Sequence, residues 1–236
     1  MYFDFTYLLF MLPAFLLSAW ASYATNSTFR KYSKVRSYSG MTGASAARRL
    51  LSYSGISDVR VERVDGFLTD HYDPTAKVLR LSSAVFDSTS LSAIGVACHE
   101  AGHAIQHANS YAFLMLRSAL VPVVQFSSQM AQWVLLAGFV LMAFGARLGV
   151  TVALGGVALI AIAVLFSIVT LPVEWDASSR AKAHMVDFGI VSQDEARSAG
   201  RVLNAAFMTY VAAAVSGIMT VLYYLLRFGL LGRRDD

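Results

Sequence analysis

The sequence predicts a mainly α-helical integral membrane protein with about four transmembrane helices. A cytoplasm-facing polar region, built around one histidine-bearing helix and a small β-hairpin or sheet, completes the expected fold. Three observations lead there. Of 236 residues, 56% are hydrophobic and only 14% charged, whereas soluble domains carry about a quarter charged residues. The apolar residues are gathered into blocks instead of being spread evenly. Most of the charge falls in two polar segments, one between the first and second blocks and one between the third and fourth.

The first span is expected at residues 5–23, FTYLLFMLPAFLLSAWASY. Ala19-Trp20-Ala21 and Ser22-Tyr23-Ala24 loosely resemble signal cleavage sites. The preceding MYFD, however, holds Asp4 and no Lys or Arg, and a secretory signal starts positive. A retained signal anchor with its N-terminus outside is the expectation. Residues 26–49 are basic and rich in small side chains. Thr42 or Ser45 can cap a helix through Ala46, Ala47 and Leu50 to Tyr53, ending near Gly55. Its basic character suits anionic lipid headgroups or, equally, a solvated face. Residues 58–64 alternate apolar and polar as a strand does. Asp73-Pro74-Thr75-Ala76 reads as a turn, after which KVLRLS resumes the alternation. A helix follows over residues 89–109, with Ser88 or Ser90 as its cap.

The second and third spans are expected at residues 121–144 and 150–171, joined by a short turn as a helical hairpin. The fourth, at 205–226, contains Tyr210, Ser216, Tyr223 and Tyr224, so a buried soluble helix competes with a span there. About 20 residues at 1.5 Å each cross the ~30 Å of hydrocarbon. The two polar segments hold fifteen Lys and Arg, against Arg147, Arg227, Arg233 and Arg234 elsewhere. The positive-inside tendency places both segments in the cytoplasm; the basic tail is the discordant feature. The lone Cys98 excludes an internal disulfide framework.

The chemistry is concentrated in ACHEAGHAIQH, residues 97–107. His99, Glu100 and His103 form H-E-x-x-H. Residues four apart on a helix share a face about 6 Å apart along the axis, so both imidazoles can converge on one Zn2+ at ~2.0–2.1 Å. Glu100, beside the first of them, can reach a water and act as its general base. His107 sits a further turn along, too far for a third ring to join on a straight helix. The metzincin pattern needs glycine and histidine at positions 106 and 109, where this chain has Gln106 and Asn109. A third ligand is expected from a second helix, in LPVEWDASSRAKAH. Glu174 gives a His-His-Glu set; His184 and Asp176 are the alternatives.

The segments NSTFRKYSKVRS, GFLTDHYDP, ACHEAGHAIQH, LRSALVPVV, TLPVEWDASSRA and RVLNAAFMTYVAA together resemble the YugP-like neutral zinc metallopeptidases, prokaryotic integral membrane proteins. The resemblance covers about residues 26–214. It implies a membrane-embedded zinc endopeptidase with His99, Glu100 and His103 in the roles above. The chain is more distantly similar to the HtpX and CAAX-prenyl proteases, whose third ligand is a Glu in an E-[FY]-x-A-D-like segment. Glu174-Trp175-Asp176-Ala177-Ser178 looks like that segment but has Ser178 where those relatives carry a supporting Asp, so Asp176 or Asp187 is expected to stand in. The same likeness implies a strand edge beside the zinc helix that pairs with an extended substrate. His71 or Tyr72, and likewise His184, then become candidates to steady the oxyanion, their structural alternatives being a turn histidine and a packed tyrosine. His107 is expected as a polar helix tip, and Cys98 as a small buried residue.

The expected division of the chain is an anchor (1–25), a catalytic region (26–118), a helical hairpin (119–171), a third-ligand region (172–204) and a last span with a basic tail (205–236). The expected function is a Zn2+-dependent endopeptidase acting on membrane-associated proteins or peptides near the cytoplasmic interface of the cell membrane. The competing reading is a non-proteolytic membrane scaffold with a structural or degenerate zinc site. The partners expected are a peptide or membrane-protein substrate and the lipid bilayer, with no nucleic acid.

Overall fold

The structure is a computed structural model, and it describes residues 5–66 and 69–230. Asp4, the Phe67-Leu68 pair of GFLTDHYDP and the tail arginines Arg233 and Arg234 lie outside the described residues. Seven helices and three strands follow in the order α1 Phe5–Tyr32, α2 Gly43–Tyr53, β1 Arg60–Val64, β2 His71–Asp73, β3 Val78–Ser82, α3 Ser83–Phe86, α4 Leu91–Ala108, α5 Ala112–Ala143, α6 Leu148–Asp187 and α7 Gln193–Arg227. Four of them, α1, α5, α6 and α7, are long and apolar enough to cross a membrane. Each reaches beyond the span read from the sequence, because hydropathy marks the length in lipid and not the length of the helix.

The chain divides into two compact units. One comprises residues up to Trp20, Leu116–Thr170 and the residues from Tyr210 onward. Its hairpin turns at Gly145, whose φ of +75° suits a residue without a side chain. Small residues let α5 and α6 approach: a Cβ on Gly138 would fall 2.5 Å from the Ala153 nitrogen, and one on Gly156 would crowd Leu135. Close backbone approach of this kind is how helices associate where lipid removes any hydrophobic gain. Phe126, Trp133 and Leu165 stay exposed, as expected of side chains meant for lipid.

The second unit, Ala21–Met115 with Leu171–Thr209, carries the polar region. Thr42 caps α2 by accepting from the Ser45 backbone N–H, and Gly55 ends it in the left-handed region. The strands form one sheet in the order β1-β3-β2. β2 and β3 make the antiparallel hairpin read from the DPTA turn, His71 facing Arg80 and Asp73 facing Val78. The Asp73 carboxylate accepts from the Thr75 and Ala76 N–H groups and fixes that turn. β1 joins the other side of β3, and joins it parallel, a pairing that local alternation does not encode. Val78, Leu79 and Leu81 of the central strand are fully buried.

Ser90, one of the two expected caps, caps α4 by accepting from the Ala93 N–H, so the helix starts at Leu91 rather than at residue 89. The stretch Leu91–Gln106 is buried almost throughout. A helix enclosed on all sides usually reads as uniformly apolar. This one places His99, Glu100, His103 and Gln106 inside the protein, so each needs a partner there.

Candidate metal centre

Small residues decide where α4 and α6 meet. A Cβ on Gly102 would fall 2.6 Å from the Ala177 carbonyl oxygen, so only glycine allows this approach. The contact brings Glu174, one turn before Ala177 on α6, against the two imidazoles of α4. Glu174 Oε2 lies 3.1 Å from His99 Nε2 and 3.6 Å from His103 Nε2. Glu174 is only 2% exposed, and a carboxylate so buried needs positive charge beside it.

The fit to a metal can be judged from these spacings. Tetrahedral ligands held at ~2.0–2.1 Å lie roughly 3.3 Å from each other, close to what is found here. One ligand atom from each of His99, His103 and Glu174 falls within 4.8 Å of the others, and among the described residues these three form the group able to hold an ion. Two imidazoles and a carboxylate are a donor set suited to zinc. Of the candidates for third ligand, Glu174 is the one the fold delivers.

The far side of each ring is also held. Ser178 Oγ lies 3.1 Å from His99 Nδ1, and Gln106 Oε1 lies 2.9 Å from His103 Nδ1. Such outer contacts orient metal-binding histidines. Ser178 therefore fills the supporting place itself, and Asp187 does not: its carboxylate is 4.0 Å from His184. Asp176 acts at one remove, accepting from Gln106 Nε2 at 2.8 Å. The sequence reading passed over Gln106, Gly102 and Ser178 as contributors. The available signal was spacing: Gln106 is three residues after His103 and Ser178 four after Glu174, each on the same helix face as its ligand.

Glu100, 9% exposed, sits on the same helical turn as the ligands but outside the ligand group. Asp70 faces it electrostatically. Burial pushes the Asp70 carboxyl above its ordinary range, hydrogen bonds from Ser82 pull it back, and the Glu100 charge adds to the rise. Asp70 accepts from the Ser82 N–H at 2.7 Å and from the Ser82 hydroxyl, which ties the entry of β2 to the end of β3. For His103, burial opposes the charged ring, but the hydrogen bond and charge of Glu174, with help from Glu100, hold its pKa above the usual imidazole value.

The remaining candidates have other partners. His71 is exposed at the start of β2, its Nδ1 2.8 Å from the Thr69 carbonyl and its Nε2 3.4 Å from Arg80. Tyr72 and His107 hold each other, hydroxyl to Nδ1, at 2.8 Å. His184 stacks on Phe188, the rings 5.0 Å apart and 1° from parallel. None of the four belongs to the ligand group. Burial pushes the Cys98 thiol up to about 12, and Cys98 is not part of the ligand group.

Comparisons with known proteins place the chain in a family. The family model described as "Putative neutral zinc metallopeptidase" matches residues 7–229. The chain is 46% identical over 220 residues to the "Putative membrane protease YugP" of Bacillus subtilis (strain 168), covering 93% of this chain and 94% of that one. No solved structure gives a significant match.

Proposed function

Because the chain belongs to the neutral zinc metallopeptidase family, we propose that it cleaves peptide bonds of membrane-associated proteins or peptides at the cytoplasmic face of the cell membrane, with Glu100 as the general base. The observation that carries this reading is a buried carboxylate on the same turn as the ligands that takes no part in the ligand set. A purely structural zinc site has no use for such a group.

His99, His103 and Glu174 would hold the ion, with Ser178 and Gln106 steadying the two rings. Zinc at such a site supplies a Lewis acid that polarises the scissile carbonyl and acidifies water. Glu100 accepts the proton of the attacking water and passes it to the departing amine nitrogen. β2 lies at the sheet edge and packs on α4, and its outer backbone groups are suited to pairing with an extended substrate chain. The excess of Lys and Arg in the two polar segments supports a cytoplasmic site.

The test compares wild type with Glu100→Gln, both zinc-loaded in lipid nanodiscs, on a membrane-protein substrate. The expected result is unchanged zinc content with cleavage reduced at least ~100-fold, the usual scale of general-base catalysis. Equal cleavage by both proteins would reject Glu100 as the general base, and no cleavage by zinc-loaded wild type would reject the peptidase reading in favour of a non-proteolytic scaffold.

A further inference from the structure

Gln106 is fully buried between α4 and α6 and every hydrogen-bonding group of its amide has a partner. The identity of those partners fixes which way the amide points. The Val173 carbonyl, 2.8 Å from Nε2, can only accept. Asp176 Oδ2, also 2.8 Å from Nε2, is a carboxylate oxygen that already receives the Arg180 Nε–H at 2.6 Å. Two acceptors on one side of the amide require its NH2 there and use both hydrogens. The carbonyl oxygen must then face His103, 2.9 Å from Nδ1. An oxygen in that place accepts a hydrogen bond and cannot give one, so His103 must carry a proton on Nδ1.

We propose that Gln106, oriented by Val173 and by the Arg180–Asp176 pair, is a positioning residue that fixes the Nδ1–H form of His103 and thereby commits Nε2 to the metal. The inference rests on the assignment of His103 as a ligand. It adds a second duty to α6: the helix that delivers Glu174 also, through Gln106, sets the ligating nitrogen of an imidazole on α4. A flipped amide would set its NH2 against Nδ1, favour the proton on Nε2 and block coordination. Asp176 and Arg180 make the flip costly, because it would leave a carbonyl oxygen facing a carboxylate in a buried site.

The test uses the full chain in nanodiscs and does not depend on peptidase activity. Zinc affinity is measured by chelator competition for wild type and for Gln106→Met, which keeps the volume and removes the hydrogen bonds. Nitrogen-15 NMR of labelled histidine on the zinc-loaded proteins reports which ring nitrogen is protonated and how fast its proton exchanges with water. The expected wild-type signature is a His103 Nδ1–H shielded from exchange, with the metal on Nε2. Gln106→Met is expected to bind zinc about 10–100-fold more weakly, the usual scale for losing an outer partner of a ligand, and to lose that shielding. Wild-type zinc coordinated through Nδ1, or an unshielded Nδ1–H, would overturn the inference even if the variant did not fold. So would a folded Gln106→Met that kept both the affinity and the shielded proton. A protein that binds zinc with this signature but cleaves nothing would count against the peptidase reading alone.

Discussion

The two compact units solve opposite problems with the same small residues. In the hairpin-bearing unit the exterior is apolar, with Phe126 and Trp133 exposed, and Gly138 and Gly156 let helices touch so that packing is gained where no water is displaced. In the site-bearing unit the polar groups are inside. There Gly102 lets two helices touch so that an acid on one reaches the histidines of the other. The same device yields stability in one place and a metal centre in the other. The difference lies in whether polar side chains sit one turn away.

Glu174→Ala should separate the two uses most sharply. It removes an anionic ligand and the acid that lies against both rings, so zinc affinity should fall by more than ~100-fold. Chelator competition measures it, and undiminished affinity would reject the third ligand. Gly102→Ala should come next. The added methyl collides with the Ala177 carbonyl, which forces α6 outward at a cost of about 1–3 kcal/mol. Zinc affinity should drop by at least ~10-fold together with the melting temperature. Gly138→Ala makes a comparable collision in the other unit. It should lower thermal stability in nanodiscs and leave zinc affinity within about two-fold, whereas a parallel loss of zinc would merge the two roles assigned here to glycine.

The smallest effect expected is one of pH. The folded pKa of His103 is raised above an unfolded value of ~6.5. In the metal-free protein its stabilising contribution is therefore complete below ~6.5 and drains away as pH rises through the raised folded value. Zinc requires the neutral nitrogen, so zinc affinity should run the other way, increasing over the same interval. Melting curves of the metal-free protein and zinc competition, each between about pH 6 and 8, should slope in opposite directions.

Much of this was legible in the sequence because periodicity and hydropathy are local. The four long helices, the DPTA hairpin turn, a serine cap at position 88 or 90 and the spacing of His99 and His103 all depend on neighbours within a turn or two. Glu174 was reachable because few acids follow the third span. The parallel pairing of β1 with β3 was not, since nothing near Arg60–Val64 specifies a partner beyond β2. Gln106 was read as the absence of a metzincin glycine, because its role exists only when Val173 and Asp176 arrive from another helix. Ser178 was taken for a missing aspartate, although a hydroxyl reaches His99 Nδ1 at 3.1 Å.

The central claim is a single zinc held by two imidazoles of α4 and one carboxylate of α6. X-ray absorption at the zinc edge on purified wild-type protein tests it most directly. The account predicts one zinc per chain, the multiple-scattering signature of two imidazoles, and light-atom ligands only. A sulfur ligand, a shell with fewer than two imidazoles, or a spectrum unchanged in Glu174→Ala would contradict it.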